Sequence, residues 1–412
     1  MSGATRNEVL HEVVERLAPL DRTPCSAGER EAADWLAGRF RAIPGVDVSV
    51  DEEPSWGTFP PTATALCAAG LVAAALVRAG SRRAGALLAA AAFAGLLDEA
   101  DNGPRIARRL IRRRRSTVNV IARVDGPGAG AHDAGTLVVL AHHDAPQTGM
   151  IFDQTLQKQI YERWPQLIER GKTPPPLWWP VLAGPLATLV GAITNRRRLT
   201  GFGLGVGALA TGAMADVWRS ETVQGANDNL SGVASLVSLA ETLSDDAPAG
   251  LSTLLVSCGA EETLQDGIRA FVARHGSELD PGRTWFVNLE TVGSPILAML
   301  EAEGPVRMEY YNGPWLRDLV EVCAERSSVR LERGFRARAS TDSVIPSRAG
   351  YPIATLVSIT DWRSPANYHL ATDVPANLDY DSVAGAVRIV LELARSLAER
   401  VAGAHAPQAA SA

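Results

Sequence analysis

The pattern of apolar and polar positions predicts helices and strands that alternate along most of the chain. Val9, Val13 and Leu17 recur at helical spacing, and Ser26-Ala-Gly-Glu29 has the form of a capping box that opens a second helix. Apolar runs predict strands over 46–50, 117–124, 136–141, 253–257, 284–289 and 353–359. Amphipathic repeats predict helices over 231–243, 264–274, 315–326 and 382–401. This alternation predicts the α/β class, with a mostly parallel mixed sheet flanked by helices on both faces.

Two long stretches depart from the α/β pattern because they carry no charged residue. Residues 55–77 and 84–97 are uncharged on either side of an arginine-containing turn, and residues 173–195 and 199–215 repeat this arrangement around Arg196-Arg-Arg198. About 20 apolar residues suffice to cross the hydrocarbon core, so the first run of each pair is long enough and the second is short. The sequence therefore predicts two inserted apolar helical hairpins in a membrane. The alternative is two buried hairpins in a soluble protein.

Aromatic and basic residues mark the ends of the predicted hairpins. An aromatic belt at one membrane interface would contain Trp56, Phe59, Trp178, Trp179 and Trp218. More arginines lie beside the α/β part, within 105–115 and at Arg219, than at the two hairpin turns, which favours a multi-pass membrane protein whose α/β part faces the cytoplasm. The basic run 105–115 is either a site for anionic lipid head groups or a solvated helix face with Ile106 and Leu110 turned inward.

These changes in composition divide the chain into four parts. The α/β domain is expected to comprise residues 1–54, 116–172 and 219–402. The first hairpin and the basic segment occupy 55–115, and the second hairpin occupies 173–218. Residues 403–412 are expected to form a disordered tail.

Composition and charge exclude several classes of protein. The chain has 412 residues, of which 46% are hydrophobic and 21% charged, so it can bury a large core. The formal net charge of -6 argues against nucleic acid as a partner. The four cysteines have no C-x-x-C spacing, so we expect neither a disulfide framework nor a thiolate metal site. Nothing in the sequence indicates the oligomeric state.

Candidate chemistry begins where predicted strands end. Residues 253–257 are followed within a few positions by the adjacent carboxylates Glu261 and Glu262, and residues 136–141 by His142 and Asp144. Strands of α/β folds present reactive side chains at their carboxyl ends. His142 can bind a metal while Asp144 orients the site, although a histidine after an apolar run is also a common structural residue.

Three further segments place acidic or imidazole groups after apolar runs. Asp228 lies in a turn of small residues and asparagines, where it is either a ligand that bridges two ions or a helix N-cap. Glu290 ends another predicted strand, and His369 lies in Asn367-Tyr368-His369-Leu-Ala-Thr-Asp373. Nitrogen and oxygen ligands without cysteine describe a hard-to-borderline metal site of the zinc type.

The order of these residues along the chain resembles the M28 family of metallo-aminopeptidases, over residues 5–54 and 116–402 apart from the hairpins. The matching motifs are the H-x-D of His142 and Asp144, the G-A-N-D-N-x-S-G of residues 225–232, the E-E pair of Glu261 and Glu262, and the Y-H-x-x-x-D of residues 368–373. The resemblance implies a zinc-exopeptidase-like fold. It also implies an enzyme that removes N-terminal residues from peptides.

The resemblance further implies two zinc ions that share one carboxylate. One ion would be bound by His142, Asp228 and Glu290. The other would be bound by Asp228, Glu262 and His369. Asp228 would therefore bridge the pair, and carboxylate-rich sites of this kind can also accept cobalt or manganese.

Two catalytic roles follow from the same resemblance. Glu261 would be the general base that moves a proton from water to the leaving amine, and Tyr368 would donate a hydrogen bond to the developing oxyanion. The family usually has Asp where Glu290 stands, so this ligand is one methylene longer here. The second hairpin interrupts the loop between His142 and Asp228, so the catalytic cleft is expected to lie close to the bilayer surface.

Two alternatives remain open from the sequence. One is a one-metal acyltransferase resembling glutaminyl cyclases, which share the scaffold and dispense with some ligands. The other is a catalytically inactive binding domain, which the loss of ligands would mark. Because His142 and Asp228 are both present, the two-metal aminopeptidase is the leading hypothesis.

Overall fold

The structure, a computed structural model, describes residues 3–130, 134–169, 173 and 177–405. The helices are α1 (Gly3–Leu17), α2 (Ala27–Arg41), α3 (Pro60–Arg78), α4 (Arg82–Ala100), α5 (Ile106–Ile111), α6 (Thr155–Arg163), α7 (Pro165–Glu169), α8 (Trp178–Thr194), α9 (Arg197–Arg219), α10 (Ser231–Asp245), α11 (Asp266–His275), α12 (Pro314–Arg326), α13 (Val344–Arg348) and α14 (Tyr380–His405). The strands are β1 (Asp47–Ser55), β2 (Arg115–Asp125), β3 (Gly135–His142), β4 (Leu251–Cys258), β5 (Thr284–Glu290), β6 (Ile296–Glu303), β7 (Glu309–Tyr310), β8 (Leu331–Ala337) and β9 (Ile353–Ile359).

The nine strands form one mixed sheet with a parallel centre. The strand order is β1-β2-β4-β3-β5-β9-β6-β7, and β8 pairs with β6. Strands β4, β3, β5 and β9 run parallel, whereas β1 and β2 on one side and β6 and β7 on the other add antiparallel pairs. This architecture confirms the predicted α/β class with a mostly parallel mixed sheet.

The central strands are buried along almost their whole length because helices cover both faces of the sheet. Almost every residue of β3 is buried, and all of β5 and β9 are, as expected for strands with two packed faces. Side chains of α1, α2, α10, α12 and α14 form one hydrophobic core. Side chains of α11 and α13 form the other. The parallel centre therefore exposes only its strand ends for chemistry.

The ends of the predicted elements differ from the structure in several places. Ser26 caps α2 by accepting a hydrogen bond from the Glu29 amide, but the Glu29 carboxylate accepts from the amide of Cys25 and so does not complete the reciprocal capping box. Helix α14 continues to His405, past the predicted start of a tail at 403. The remainder of that predicted tail, 406–412, lies outside the described residues.

The two uncharged stretches fold into four helices that pack together. Helices α3 and α4 form one antiparallel pair and α8 and α9 form the other, and their facing side chains make a separate hydrophobic core. Arg82, at the start of α4, donates a hydrogen bond of 2.7 Å to the carbonyl oxygen of Ala192 near the end of α8, so both arginine turns lie at the same end of the bundle. A Cβ atom on Gly184 would lie 2.9 Å from the Cα of Gly207, which shows how closely the backbones of α8 and α9 approach.

Helix α3 is the one described helix whose length and hydropathy suit a membrane crossing, with 44% of its most apolar window buried. A core helix of a soluble protein passes the same test. Helix α8 is apolar but has 17 residues, so the expectation that 173–195 supplies a second crossing helix is not met by this criterion.

The basic segment buries the opposite helix face from the one that its sequence suggested. Ile106 and Leu110 were expected to turn inward on a solvated basic helix, but their exposed fractions are 60% and 81%. Arg105 and Arg108 are the buried residues instead, because each forms an ion pair with a buried carboxylate. Partners for these two arginines are contributed by α4 and α11, which the local pattern could not reveal.

Candidate metal centre

The sheet brings five candidate ligands to one edge. His142 is the last residue of β3, Glu290 is the last residue of β5, and Glu262 follows β4. Asp228 lies in an irregular turn just before α10, and His369 lies in the loop after β9. Because β3, β4, β5 and β9 are parallel, their carboxyl ends meet at this edge.

The five side chains form two overlapping groups around Asp228. His142 Nε2 lies 3.2 Å from Asp228 Oδ1 and 3.5 Å from Glu290 Oε1. His369 Nε2 lies 3.2 Å from Asp228 Oδ2 and 3.4 Å from Glu262 Oε1. Each oxygen of Asp228 therefore faces a different imidazole. This is the arrangement that a bridging carboxylate requires.

Backbone contacts hold Asp228 in this orientation. The Asp373 carboxylate accepts hydrogen bonds from the amides of Asn227, at 2.7 Å, and Asp228, at 3.1 Å. Gly232 lets the turn pack against the sheet, since a Cβ atom there would lie 2.5 Å from the Leu289 carbonyl oxygen. The small residues of the motif at 225–232 are therefore explained by close packing of the turn as well as by the position of Asp228.

The donor atoms fit a bound cation. Buried atoms without a hydrogen-bond partner in the described chain include His142 Nε2, Asp228 Oδ2, Glu290 Oε2 and His369 Nε2. Unpartnered buried polar atoms are costly unless something else coordinates them. Burial lowers the pKa of His369, but Glu262 and Asp228 outweigh it and raise that pKa to about 10. The cluster therefore attracts positive charge, and its nitrogen and oxygen donors suit zinc.

Asp144 supports the ligands without joining either group. Its Oδ1 lies 3.3 Å from His142 Nδ1 and accepts from the Glu261 amide, and its Oδ2 accepts from the Glu262 amide at 2.9 Å. The buried Asp144 carboxylate therefore holds the His142 imidazole and the turn after β4 in fixed relative positions. This geometry agrees with the orienting role expected from the H-x-D spacing.

Glu261 is buried next to the ligands and belongs to neither group of three that includes Asp228, but it forms a third group with His142 and Glu262. Its Oε1 accepts a hydrogen bond of 2.7 Å from Gln265 Nε2. Burial raises the pKa of Glu261 well above the usual range, and Glu262 adds to this effect. A carboxylate that prefers to take up a proton beside a metal centre has the chemistry of a general base.

Tyr368 and His143 are the chain neighbours of the two candidate ligand histidines. The Tyr368 ring stacks on His369 with centroids 4.1 Å apart and meets the edge of Phe152. Burial raises the pKa of Tyr368 well above its usual value, so its hydroxyl keeps its proton. His143 Nδ1 lies 2.9 Å from Ser257 Oγ.

Sequence reasoning missed Asp342, which lies behind the ligands. It is fully buried, and burial raises its pKa to about 8 despite the proximity of His142. Its segment, Ser340-Thr-Asp342, follows β8, a strand whose alternation with charged residues concealed it. A polar cluster immediately after a strand is the signal that could have identified it.

A narrow cleft leads to the cluster between the inserted hairpins. Phe59 and Pro60, where α3 begins, line it together with Val217 near the end of α9. Glu262 and His369 also line it. Both hairpins therefore contribute to the walls of the candidate site.

The α/β sheet with a parallel centre and flanking helices matches the fold of solved zinc-exopeptidase-like structures. The family model described as Peptidase family M28 matches residues 208–394, which confirms the resemblance seen in the sequence over this part of the chain. The matched range contains Asp228, Glu261, Glu262, Glu290 and His369. A search of curated proteins finds no match.

Solved structures share the fold at low sequence identity. The aminopeptidase from Aneurinibacillus sp. strain AM-1 is 13% identical, with a TM-score of 0.52, over 94% of this chain and 92% of that one. A Zn-dependent exopeptidase from Parabacteroides distasonis is 13% identical, with a TM-score of 0.53, over 94% and 97%. A glutaminyl cyclase from an Acidobacteriales bacterium is 13% identical, with a TM-score of 0.53, over 96% and 95%. The same fold therefore occurs in hydrolases and in cyclases.

Proposed function

We propose that this protein is a zinc-dependent aminopeptidase that hydrolyses N-terminal residues of peptides at a two-metal site. The observation that carries the proposal is the placement of Asp228 between two imidazoles, with one carboxylate oxygen toward each. His142 and Glu290 would complete one ion's ligands, and Glu262 and His369 those of the other. Zinc ions bound there would polarise the scissile carbonyl and lower the pKa of the attacking water.

The remaining side chains supply proton transfer, positioning and stabilisation of the oxyanion. Glu261, which belongs to neither ligand set, accepts the proton of the attacking water and passes it to the leaving amine. Asp144 keeps the Glu261 amide and the His142 ring in place through the contacts described above. Tyr368 retains its proton and can donate a hydrogen bond to the oxyanion. Substrate binding at the end of the cleft places the peptide amino terminus beside these groups.

A one-metal glutaminyl-cyclase-like acyltransferase is the second candidate, because solved cyclases share the fold as closely as the aminopeptidases do. The presence of His142 and Glu290 favours the two-metal hydrolase, since both lie on the same side of Asp228 with unpartnered atoms. A catalytically inactive binding domain would have lost such ligands. Here all five converge.

The test compares hydrolysis with cyclisation on one preparation. The full chain, purified in detergent and loaded with zinc, is given aminoacyl 4-nitroanilides and, separately, a peptide with N-terminal glutamine. We expect release of nitroaniline and close to two zinc ions per chain by elemental analysis. Pyroglutamate formation with about one zinc ion would instead favour the cyclase. The absence of both reactions would favour the catalytically inactive binding domain.

We further propose that the helical bundle of 55–115 and 173–218 is inserted in a membrane, with the peptidase part (1–54, 116–172 and 219–402) facing the cytoplasm. The outer surface of the bundle supports insertion, since large apolar side chains on all four helices are exposed: Val72, Leu87, Leu186, Val190, Ile193, Phe202 and Leu209. Lipid is then a partner of the bundle. Trp179 and Trp218 are half-exposed at the end nearer the sheet, where an interface would lie.

Extraction from membranes tests the insertion. In wild type we expect the chain to remain with the membrane in alkaline carbonate and to be released by detergent. Leu209→Glu, in which a carboxylate replaces a side chain with an exposed fraction of 77%, should weaken retention because a charge in lipid costs about 2.5 kcal/mol or more. Leu156→Glu, on α6 outside the bundle, is the matched control with an exposed fraction of 68%. Release of wild type by carbonate alone would contradict insertion.

The orientation requires a separate reporter. A reporter fused after Ala412 should be active only on the cytoplasmic side if the arginine distribution sets the topology. Activity only on the opposite side would contradict the proposed orientation while leaving insertion intact.

A further inference from the structure

The first inserted hairpin is joined by buried charges to the turn that carries the two adjacent glutamates. Arg108 of α5 donates to the backbone carbonyl oxygen of Thr263 and pairs with Glu99 near the end of α4. Arg105 pairs with Asp266, the first residue of α11. All four charged groups are almost entirely buried. Breaking a buried pair of this kind is strongly destabilising, so this connection is firm.

A second connection reaches the Glu261 carboxylate itself. Gln265 Nε2 donates hydrogen bonds to Glu261 Oε1, at 2.7 Å, and to the Ser340 carbonyl oxygen, at 2.8 Å. The Ser340 hydroxyl accepts a hydrogen bond of 2.6 Å from Asn102, two residues after α4, and donates one of 3.4 Å to Gln265 Oε1. The exposed fraction of Gln265 is 1%. A continuous set of side chains therefore leads from the end of the hairpin to one oxygen of the candidate base.

The backbone around Gln265 keeps this side chain in place. Leu264 and Gln265 both have φ values near +69°, in the left-handed region that side-chain-bearing residues seldom adopt. The Gln265 amide donates to the Glu261 carbonyl oxygen at 2.7 Å, which closes the turn. The side chain is thus folded back over the turn toward Glu261 instead of continuing outward along α11.

We propose that Gln265 is a positioning residue for Glu261 and that the end of the first hairpin, through Asn102 and Arg108, holds the catalytic turn. With Oε1 anchored by an amide, the other Glu261 oxygen is presented in one orientation for proton transfer. Fixing a reacting group in advance lowers the activation barrier, and a shift of about 1 Å can cost a hundredfold in rate. This inference rests on the proposed function, since it assigns Gln265 to the general base of that reaction.

The test separates positioning from folding by comparing three substitutions. Gln265→Met removes the donor at similar volume, and it should lower kcat about tenfold to a hundredfold while KM changes less than twofold. Gln265→His offers a ring N–H at nearly the same reach and should restore kcat to within about threefold of wild type. Ser340→Ala, which leaves the carbonyl contact of Gln265 intact, should cause a smaller loss of kcat.

Readouts other than turnover complete the test. Zinc content should stay at the wild-type value in every variant, and a crystal structure of Gln265→Met should show the Glu261 side chain in a changed or second rotamer. Gln166→Met, at an exposed position of α7, is the matched control and should behave as wild type. Unchanged kcat and an unchanged Glu261 rotamer in Gln265→Met overturn this inference alone. A wild-type chain without turnover overturns the proposed function and this inference with it.

Discussion

Glu261→Gln is expected to reduce kcat by at least about a hundredfold while zinc content and KM stay near wild type. The amide has nearly the same shape and can still pair with Gln265, but it cannot accept the proton of the attacking water. Positioned general acid–base groups typically contribute factors of 10² to 10⁴ in rate. Because Glu261 lies outside the two ligand groups centred on Asp228, the metal ions should be unaffected. The measurement is steady-state hydrolysis of an aminoacyl 4-nitroanilide, with zinc determined on the same sample.

A surface substitution of the same kind provides the control for that prediction. Glu162→Gln changes an exposed glutamate on α6 and should leave kcat unchanged. Equal rates in wild type and Glu261→Gln would remove Glu261 from its role as base. Loss of zinc in Glu261→Gln would instead place the native Glu261 carboxylate among the ligands. Its position in a group with His142 and Glu262 is the reason for this control.

The second large effect is expected from Asp228→Asn, which should reduce binding of both zinc ions. One oxygen of Asp228 faces His142 and the other faces His369, so the substitution removes negative charge from both ligand sets at once. Hydrogen bonds from both histidines outweigh the effect of burial and lower the pKa of Asp228, so the native carboxylate is ionised and ready to bind cations. We expect zinc per chain to fall toward zero after dialysis, with hydrolysis lost in parallel.

Glu290→Gln is the matched comparison, because Glu290 belongs to only one ligand set. It should lower zinc content by about one ion per chain and leave the ion near His369 in place. Asp246→Asn, at an exposed position after α10, should retain full zinc content. Two tightly bound zinc ions in Asp228→Asn would contradict a shared carboxylate.

The strand pattern alone predicts that His142, Glu262 and Glu290 lie close together, because each ends or closely follows a parallel strand. Asp228 and His369 lie in a turn and a loop, which only the sequence motifs single out. His142 and Glu290 end β3 and β5, so the rule that parallel strands share one carboxyl edge was enough to bring them together. Asp342 and Gln265 were missed for a different reason. Their importance depends on contacts with residues distant in the chain, such as the hydrogen bond from Gln265 to Ser340. Asp342 also follows β8, a strand that the hydrophobic pattern does not reveal. Site residues defined by tertiary contacts require the structure.

The edge of the sheet shows the same limit. Strands β6, β7 and β8 were not predicted, because β6 ends in alternating glutamates and β8 carries arginines and a glutamate. Such strands are stabilised by cross-strand ion pairs, as between Arg333 of β8 and Glu301 of β6. Strand β8 buries little of its surface, so local hydrophobicity does not reveal it, whereas β6 is largely buried and was obscured by the glutamates at its end. The pattern was therefore reliable at the centre of the sheet and weak at its border.

A shortened chain that lacks the first hairpin would lose two contacts of the candidate site. Arg108 would no longer hold Thr263, and Phe59 would no longer line the cleft. Excising residues 55–115 would be the natural route to a water-soluble fragment for crystallisation. Such a fragment would leave Asp266 without Arg105 and remove one wall of the entrance. Measurements on such a fragment would not represent the intact site, so the full chain is the appropriate material for functional work.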